Sequence, residues 1–311
     1  MSQPQATAPA TFRMPGSEFL GRVREGGIIY PFILLFIVLA IWKGSTFYGR
    51  TNLLEILDQQ SATLIIAAAG TMVLIAGGID LSVGATYALC QVIAMKIAIS
   101  GNPVAAIVVG VIIGIAVGAA NGVITTFFRI NSLIATLAAS FVITGGAALI
   151  TGGNLITNFS VTGYANFART QFLDVTTAAW TMIGVVIILG VVLARTMAGR
   201  VQWIKLITFA ISGGAAALGG IIDSARVLSA SSSNGGTALT FTVLAGIVVG
   251  GTSILGGEGA IWRTVIGVLF IAMIGNGFTL LGWNPLYEQI TLGLILLLAV
   301  GGDAWSRLRT T

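Results

Sequence analysis

The chain has no histidine, one cysteine and few charged residues, and each shortage excludes a class of chemistry. Without histidine it has neither a Ser–His catalytic pair nor an imidazole metal ligand. The single Cys90 excludes an intramolecular disulfide and a multi-cysteine metal site, and its apolar neighbours predict a buried packing role. A Gly-x-x-x-x-Gly-Lys-Ser/Thr phosphate loop is also absent, so the chain does not hydrolyse ATP by that mechanism. We therefore expect no enzyme activity, no cofactor and no metal site.

Charged residues make up 8% of the 311 residues, whereas about 25% is usual in soluble domains. Hydrophobic residues make up 56%, and the mean hydropathy is +1.00, so the composition is that of a protein in a lipid bilayer. The 15 basic residues outnumber the 10 acidic ones, but they are scattered singly at the ends of apolar runs. This scatter indicates membrane topology and not nucleic-acid binding.

Apolar windows of spanning length predict an all-α fold, a polytopic integral membrane protein with about ten transmembrane helices. They form a single transmembrane domain, residues 28–302, between a disordered tail, residues 1–27, and a short C-terminal tail, residues 303–311. The predicted spans are 28–46, 61–79, 83–100, 103–126, 131–151, 178–195, 203–222, 239–255, 260–281 and 286–302.

The distribution of lysine and arginine predicts the orientation of these spans. With the N-terminus in the cytoplasm, ten basic residues lie inside and five outside, so both termini are expected to be cytoplasmic. The longest loops, 44–60, 151–177 and 223–239, are then external. They are either a platform for an external partner or solvated connections, and for the Ser/Gly run 229–236 we favour the solvated connection.

A polar, glycine-rich stretch with Gly77, Gly78, Asp80, Ser82 and Gly84 interrupts two strongly apolar runs. A carboxylate at the centre of a bilayer costs at least ~2.5 kcal/mol. One interpretation is a helix broken at membrane depth, which requires surrounding protein or a water-filled path, with Ser82 capping the helix that resumes. The other is a plain cytoplasmic turn with Asp80 as a helix cap. The spacing alone leaves both open.

Two asparagines, Asn121 and Asn276, each precede a glycine within an apolar run and should face the interior of the bundle. They either line the path of a polar solute or form interhelical hydrogen bonds, and for each residue alone we favour the hydrogen bond slightly. A second glycine-rich break, residues 250–259, matches the first only weakly, so we infer no internal duplication.

Several segments together resemble sugar-import permeases of the ribose type, in the ATP-binding-cassette class. The matching segments are Ala76–Gly84, Gly118–Gly122, Ile134–Leu137, Gly145–Gly146, Ser212–Gly213, Ala217–Gly220, Val249–Ser253, Gly256–Gly259 and Asn276–Gly277. The resemblance implies a permease subunit of the bacterial cell membrane that works as a dimer with an identical or similar permease. It also implies separate ATPase subunits on the cytoplasmic face and a solute-binding protein outside. Asp80, Ser82, Asn121 and Asn276 then become candidates for structuring or lining the path.

One departure from the family pattern concerns the cytoplasmic connection between the sixth and seventh spans. Family members carry an extended segment there that is expected to contact the ATPase, whereas here Arg195–Arg200 leads directly into the next span. The chain is then either a variant that uses another contact or a permease with impaired coupling. The candidate residues for the ATPase contact are Arg195, Gly199, Arg200, Gly256, Gly257, Glu258 and Arg263.

The alternative to an importer subunit is a stand-alone secondary transporter or channel for small polar solutes. A proton-coupled carrier should carry more membrane-embedded carboxylates than Asp80 and Glu258, and a selective channel should show a repeated filter motif. Neither feature is visible in the sequence. The residues do not identify which pentose, hexose or related solute is carried.

Overall fold

The computed structural model describes residues 27–196, 201–284 and 286–308, and the described chain is mainly helical. Four two-residue strands form two antiparallel pairs, β1 with β4 and β2 with β3. The elements are α1 Ile29–Lys43, α2 Ser45–Tyr48, α3 Arg50–Gln59, α4 Ser61–Ile75, α5 Val83–Ile99, α6 Pro103–Thr126, α7 Ser132–Thr151, β1 Ile156–Thr157, α8 Thr162–Arg169, β2 Gln171–Phe172, β3 Val175–Thr176, α9 Thr177–Thr196, α10 Val201–Val227, β4 Ser229–Ala230, α11 Gly236–Val249, α12 Ile261–Leu281 and α13 Leu286–Leu308.

Each of the ten predicted windows contains a helix. Among the described residues, α6, α7, α9, α10 and α12 include stretches long and apolar enough to cross a membrane. The apolar parts of α1, α4, α5, α11 and α13 are shorter. The predicted class, an all-α membrane protein, is therefore confirmed, whereas ten complete crossings and cytoplasmic termini stay predictions.

Helix α4 lies at the centre of the bundle, since every residue from Ser61 to Leu74 is buried. A helix that is apolar all round is expected in such a position. The peripheral helices instead expose large apolar side chains, such as Ile112 on α6 and Phe141 and Val142 on α7. In a bilayer these side chains can face lipid without loss, so small and polar residues mark the interior contacts.

Helices α6 and α10 approach each other through glycine on both sides. A Cβ atom on Gly114 would lie 2.5 Å from the carbonyl oxygen of Gly213, and one on Gly118 would overlap the carbonyl oxygen of Phe209. The glycines of α6 recur every four residues and so occupy one helix face. The two backbones therefore touch directly, in the manner typical of small-residue interfaces in membranes.

A polar network joins α3, α5 and α10 and explains why α10 continues beyond its predicted end. Arg226 lies 2.8 Å from the Asp223 carboxylate and 3.9 Å from that of Asp58. The Tyr87 hydroxyl donates to Asp223 over 2.6 Å, and the Thr176 hydroxyl donates to Asp58 over 2.5 Å. Because these half-buried charges satisfy one another, the helix extends past Ile222 to Val227 in spite of its polar residues.

The glycine interface predicts opposite effects for the same substitution at two positions. Gly118→Ala should destabilise the protein by about 1–3 kcal/mol, because the new methyl group overlaps backbone that cannot move aside. Gly145→Ala is the matched control, since a Cβ there meets nothing within 4 Å and alanine favours the helix by about 1 kcal/mol. Thermal unfolding of both purified variants in detergent tests this. Equal midpoints for the two variants would contradict the packing described.

Candidate functional site

The polar stretch between α4 and α5 is a break in which seven residues, 76–82, leave the helical path. The backbone N–H groups of Gly77 and Gly78 donate to the carbonyl oxygens of Leu74 and Val73, both over 2.9 Å, and so end α4. Gly77 has a φ of +71°, a left-handed conformation that glycine adopts without strain. The glycine pair therefore supplies the turn that carries the chain out of the helix.

Asp80 is the centre of a hydrogen-bonded cluster that joins the break to two other helices. Its Oδ1 accepts from the backbone N–H of Ser82 over 3.0 Å and from the Ser82 hydroxyl over 2.6 Å. Its Oδ2 accepts from the hydroxyl of Ser212 on α10 over 2.8 Å. The Asn121 amide on α6 in turn donates to the Ser82 Oγ over 2.8 Å. We name these four residues the Asp80 cluster.

The capping role expected of Ser82 is not what the structure shows. Its hydroxyl makes no cap bond to α5 and instead donates to Asp80. Ser212 is the member of the cluster that was not a predicted site residue. In the sequence, Ser212 is a single hydroxyl residue before the Gly213–Gly214 pair in an apolar run. Nothing in that pattern indicates a hydrogen-bond partner 132 positions away.

Side chains of α7 and α11 satisfy the backbone of the break. The N–H groups of Ile79 and Leu81 donate to the hydroxyls of Ser132 and Thr136, over 3.1 and 2.9 Å. At the start of α5, the Gly84 N–H donates to the Thr240 hydroxyl over 3.2 Å. Freed backbone groups are tolerated at membrane depth when protein surrounds and satisfies them in this way. Protein groups therefore satisfy much of the backbone of the break, while Gly77 is exposed and Asp80 is half-buried.

The cluster lies along the length of α10 and not at its end. Ser212 follows the first residue of α10 by eleven positions, about 16 Å at 1.5 Å per residue, and about 22 Å of helix continues beyond it. Among the described residues, none of the three ion pairs includes Asp80. Hydroxyl and N–H dipoles, rather than a cationic side chain, therefore hold this carboxylate.

Asn276 does not belong to the Asp80 cluster and instead contacts helix α3. It exchanges two hydrogen bonds with Asn52 of α3, over 3.1 and 2.8 Å, and Asn52 also donates to the Phe47 carbonyl oxygen. This reciprocal amide pair ties α12 to α3, so Asn276 makes the interhelical hydrogen bond that was one of its two interpretations. Asn121, in contrast, belongs to the Asp80 cluster.

The second glycine-rich break, residues 250–260, packs directly on the first. The Gly257 N–H donates to the carbonyl oxygen of Ile75 over 3.0 Å, and a Cβ on Gly256 would lie 2.9 Å from the Gly77 Cα. Both Gly256 and Gly257 have left-handed φ angles, +89° and +83°. The loop thus contacts the end of α4 at the start of the first break.

The remaining candidates for the ATPase contact lie around this loop. Glu258 is exposed, whereas Arg263 is half-buried and its Nε has no hydrogen-bond partner in the described part of the chain. Arg195 is exposed near the end of α9. Gly199 and Arg200 lie outside the described residues.

The interpretation of the Ser/Gly run 229–236 as a solvated connection is wrong for its first half. Ala230 and Ser231 are buried, and the amide of Gln91 on α5 donates to the Ser231 carbonyl oxygen over 2.9 Å. The reason is the pairing of β4 with β1, which turns the chain inward after α10. Cys90 is buried in α5, so its predicted packing role is confirmed.

A bundle of apolar helices around a polar break defines the class of the protein, an integral membrane protein. A family model described as "Branched-chain amino acid transport system / permease component" matches residues 52–201 and 191–300. The chain therefore belongs to this family of transport permeases, and it is a multi-pass protein of the bacterial inner membrane.

Three curated relatives align with most of this chain. The ribose import permease protein of Bacillus subtilis (strain 168) is 37% identical over 292 residues, which cover 87% of this chain and 90% of the relative. The corresponding protein of Escherichia coli (strain K12) is 33% identical, covering 86% and 90%. The D-allose transport system permease protein of Escherichia coli (strain K12) is 30% identical, covering 88% and 90%. No solved structure matches the chain.

The alignments also indicate a deletion in this chain. The alignment with the Bacillus relative runs over 292 residues, whereas 87% of 311 residues is about 271, so about 20 residues of the relative have no counterpart here. The family model is matched in two parts that meet at residues 191–201. This junction agrees in position with the shortened connection identified in the sequence.

The Asp80 cluster predicts a measurable coupling between two side chains. Ser212→Ala should destabilise the protein by about 1–2 kcal/mol, because it removes a donor to a carboxylate inside the bundle. After Asp80→Ala, the same change should have a much smaller effect. A double-mutant cycle on unfolding in detergent measures the difference. The control is Ser140→Ala, whose hydroxyl bonds only within its own helix. Additive effects of Asp80→Ala and Ser212→Ala would contradict the bond.

Proposed function

We propose that this chain is the transmembrane subunit of an ATP-binding-cassette importer for sugars of the pentose and hexose class. It forms the translocation path, while separate subunits hydrolyse ATP. The observation that carries the proposal is the 30–37% identity, along most of the chain, to import permeases for ribose and D-allose. The polar break around Asp80 agrees with this role, because irregular backbone inside a membrane protein occurs where protein encloses it or where it lines a water-filled path.

The proposed arrangement is a single permease domain, residues 28–302, with ten spans and cytoplasmic tails at 1–27 and 303–311. The distribution of lysine and arginine supports this orientation. The permease works as a dimer with an identical or similar subunit in the lipid bilayer. Two ATPase subunits dock on the cytoplasmic face, and a solute-binding protein delivers the sugar outside. The permease needs no cofactor, metal or nucleic acid for this role.

In this arrangement the loop 250–260 passes force from the ATPase to the path. It contacts Ile75 and Gly77 at the end of α4, three residues before Asp80. A displacement of this loop therefore moves the segment that holds the Asp80 cluster. Among the described candidates, Glu258 and Arg195 are exposed and can meet the ATPase. Through Glu258, coupling uses a contact other than the shortened connection.

The test is ATP-dependent uptake of labelled ribose into proteoliposomes that contain the permease, its ATPase and its binding protein. Glu258→Lys should lower uptake about tenfold or more, because reversing a charge in a contact opposes docking. Glu258→Asp is the matched control, because it keeps the negative charge at the same exposed position. Thermal unfolding should be unchanged in both variants.

The outcomes separate the two parts of the proposal. If the unmodified complex takes up none of a panel of labelled pentoses and hexoses with ATP, the importer function is wrong. If it takes up sugar and Glu258→Lys matches Glu258→Asp, the function stands and the coupling route through residues 250–260 is wrong.

A further inference from the structure

The segment between α10 and α11 enters the bundle instead of crossing its surface. After Ser229 and Ala230 pair with β1, the chain descends along α5. A Cβ on Gly235 would lie 2.7 Å from the Tyr87 ring, and one on Gly84 would overlap the carbonyl oxygen of Gly236. The segment therefore reaches the first turn of α5, beside the break. We name residues 231–236 the re-entrant segment.

The contacts along α5 give the depth of this segment. Gln91, which bonds to Ser231, lies eight residues before Ile99, about 12 Å below that end of the helix. Gly84, which touches Gly236, lies about 22 Å below the same end. The hydrocarbon core of a bilayer is about 30 Å thick, so non-helical backbone extends well into it. Such backbone occurs only where it is buried in protein or lines a water-filled cavity.

The re-entrant segment has one side in protein and another that is open. Towards α5, the Gln91 amide donates to the Ser231 carbonyl oxygen, while its Oε1 is buried without a partner in the described chain. On the other side, Ser233 is exposed and Asn234 is half-buried. A segment that only filled space between helices would have no open polar side at this depth. The re-entrant segment therefore fits better as non-helical backbone that lines a water-filled cavity than as backbone buried in protein.

The chemistry of the segment suits a neutral solute with many hydroxyl groups. It presents hydroxyl and amide groups, which both donate and accept hydrogen bonds, and it contains no charged residue. The Ser231 and Ser233 hydroxyls lie 2.9 Å apart, so one serves as donor and the other as acceptor. A buried amide oxygen without a partner, that of Gln91, adds an acceptor behind them.

We propose that the re-entrant segment lines the middle of the translocation path, and that Ser233 and Asn234 hydrogen-bond the hydroxyl groups of the passing solute. This inference rests on the proposed importer function and its orientation. The contact of Gly236 with Gly84, and the bond from the Gly84 N–H to Thr240, join the segment to the break at its lower end. A movement of the break then changes the access of water to the segment.

Cysteine accessibility tests the proposal, because only Cys90 must be removed to obtain a cysteine-free chain. In a Cys90→Ala background, Ser233→Cys and Asn234→Cys are labelled with a charged, membrane-impermeant methanethiosulfonate. The label is added outside to the complete complex in proteoliposomes, with and without a non-hydrolysable ATP analogue. We expect labelling in one nucleotide state and labelling at least about tenfold slower in the other.

Two further positions calibrate the measurement. Ser160→Cys, exposed in the loop between β1 and α8, should be labelled at the same rate in both states. Val142→Cys, 76% exposed on the apolar side of α7, should not be labelled by a charged reagent. A rate at Ser233 that matches Ser160 in both states would make the segment an ordinary surface loop and overturn the proposal. No labelling at Ser233 and Asn234 in either state would mean that protein seals the segment, which also overturns it.

Uptake by the Cys90→Ala complex is measured in the same vesicles. State-dependent labelling without ATP-driven uptake of the labelled pentoses and hexoses would support the lining role while the importer function failed. Uptake without state-dependent labelling would leave the importer function standing and reject the lining role. The two proposals therefore fail separately.

Discussion

The structure depends on how an apolar bundle holds one carboxylate. An unsatisfied charge at membrane depth costs at least ~2.5 kcal/mol, and Asp80 avoids this penalty by accepting three hydrogen bonds. The donors come from the break itself and from α10, and Asn121 of α6 extends the cluster. The hydrogen bonds of this cluster thus fix the relative positions of three segments that are distant in sequence. The broken helix persists because these partners surround it.

This cluster in turn requires a close approach of α6 and α10. Ser212 and Asn121 both reach the break because Gly114, Gly118 and Gly213 let the two backbones touch. In a bilayer, apolar side chains gain little from contact with one another compared with lipid, so close backbone packing and interior hydrogen bonds select the arrangement. The many glycines and the few polar residues inside the bundle therefore act together to select this arrangement of helices.

The irregular segments form one connected series of contacts through the bundle. The loop 250–260 contacts Gly77, the break runs from Gly77 through Asp80 to Ser82, and Gly84 in the first turn of α5 contacts the re-entrant segment at Gly236. Irregular backbone is easier to displace than a complete helix, because fewer internal hydrogen bonds fix it. A continuous series of packed contacts of this kind can carry coupling across the bundle. The functional roles assigned to it are the proposals made above.

The sequence by itself determined the class of protein, the approximate position of each long helix and the presence of a break in the helical pattern within residues 77–84. These properties depend on residues that are near one another in the sequence. For example, Asn102 caps α6 by accepting a hydrogen bond from the Ala105 N–H, and apolar composition marks the membrane spans. It did not determine that Ser212 bonds Asp80, that Asn52 pairs with Asn276, or that Ser231 is buried. Those outcomes depend on contacts between residues more than 100 positions apart. Only the packing of the helices decides them, because an apolar helix in lipid carries little sequence signal for which neighbour it faces.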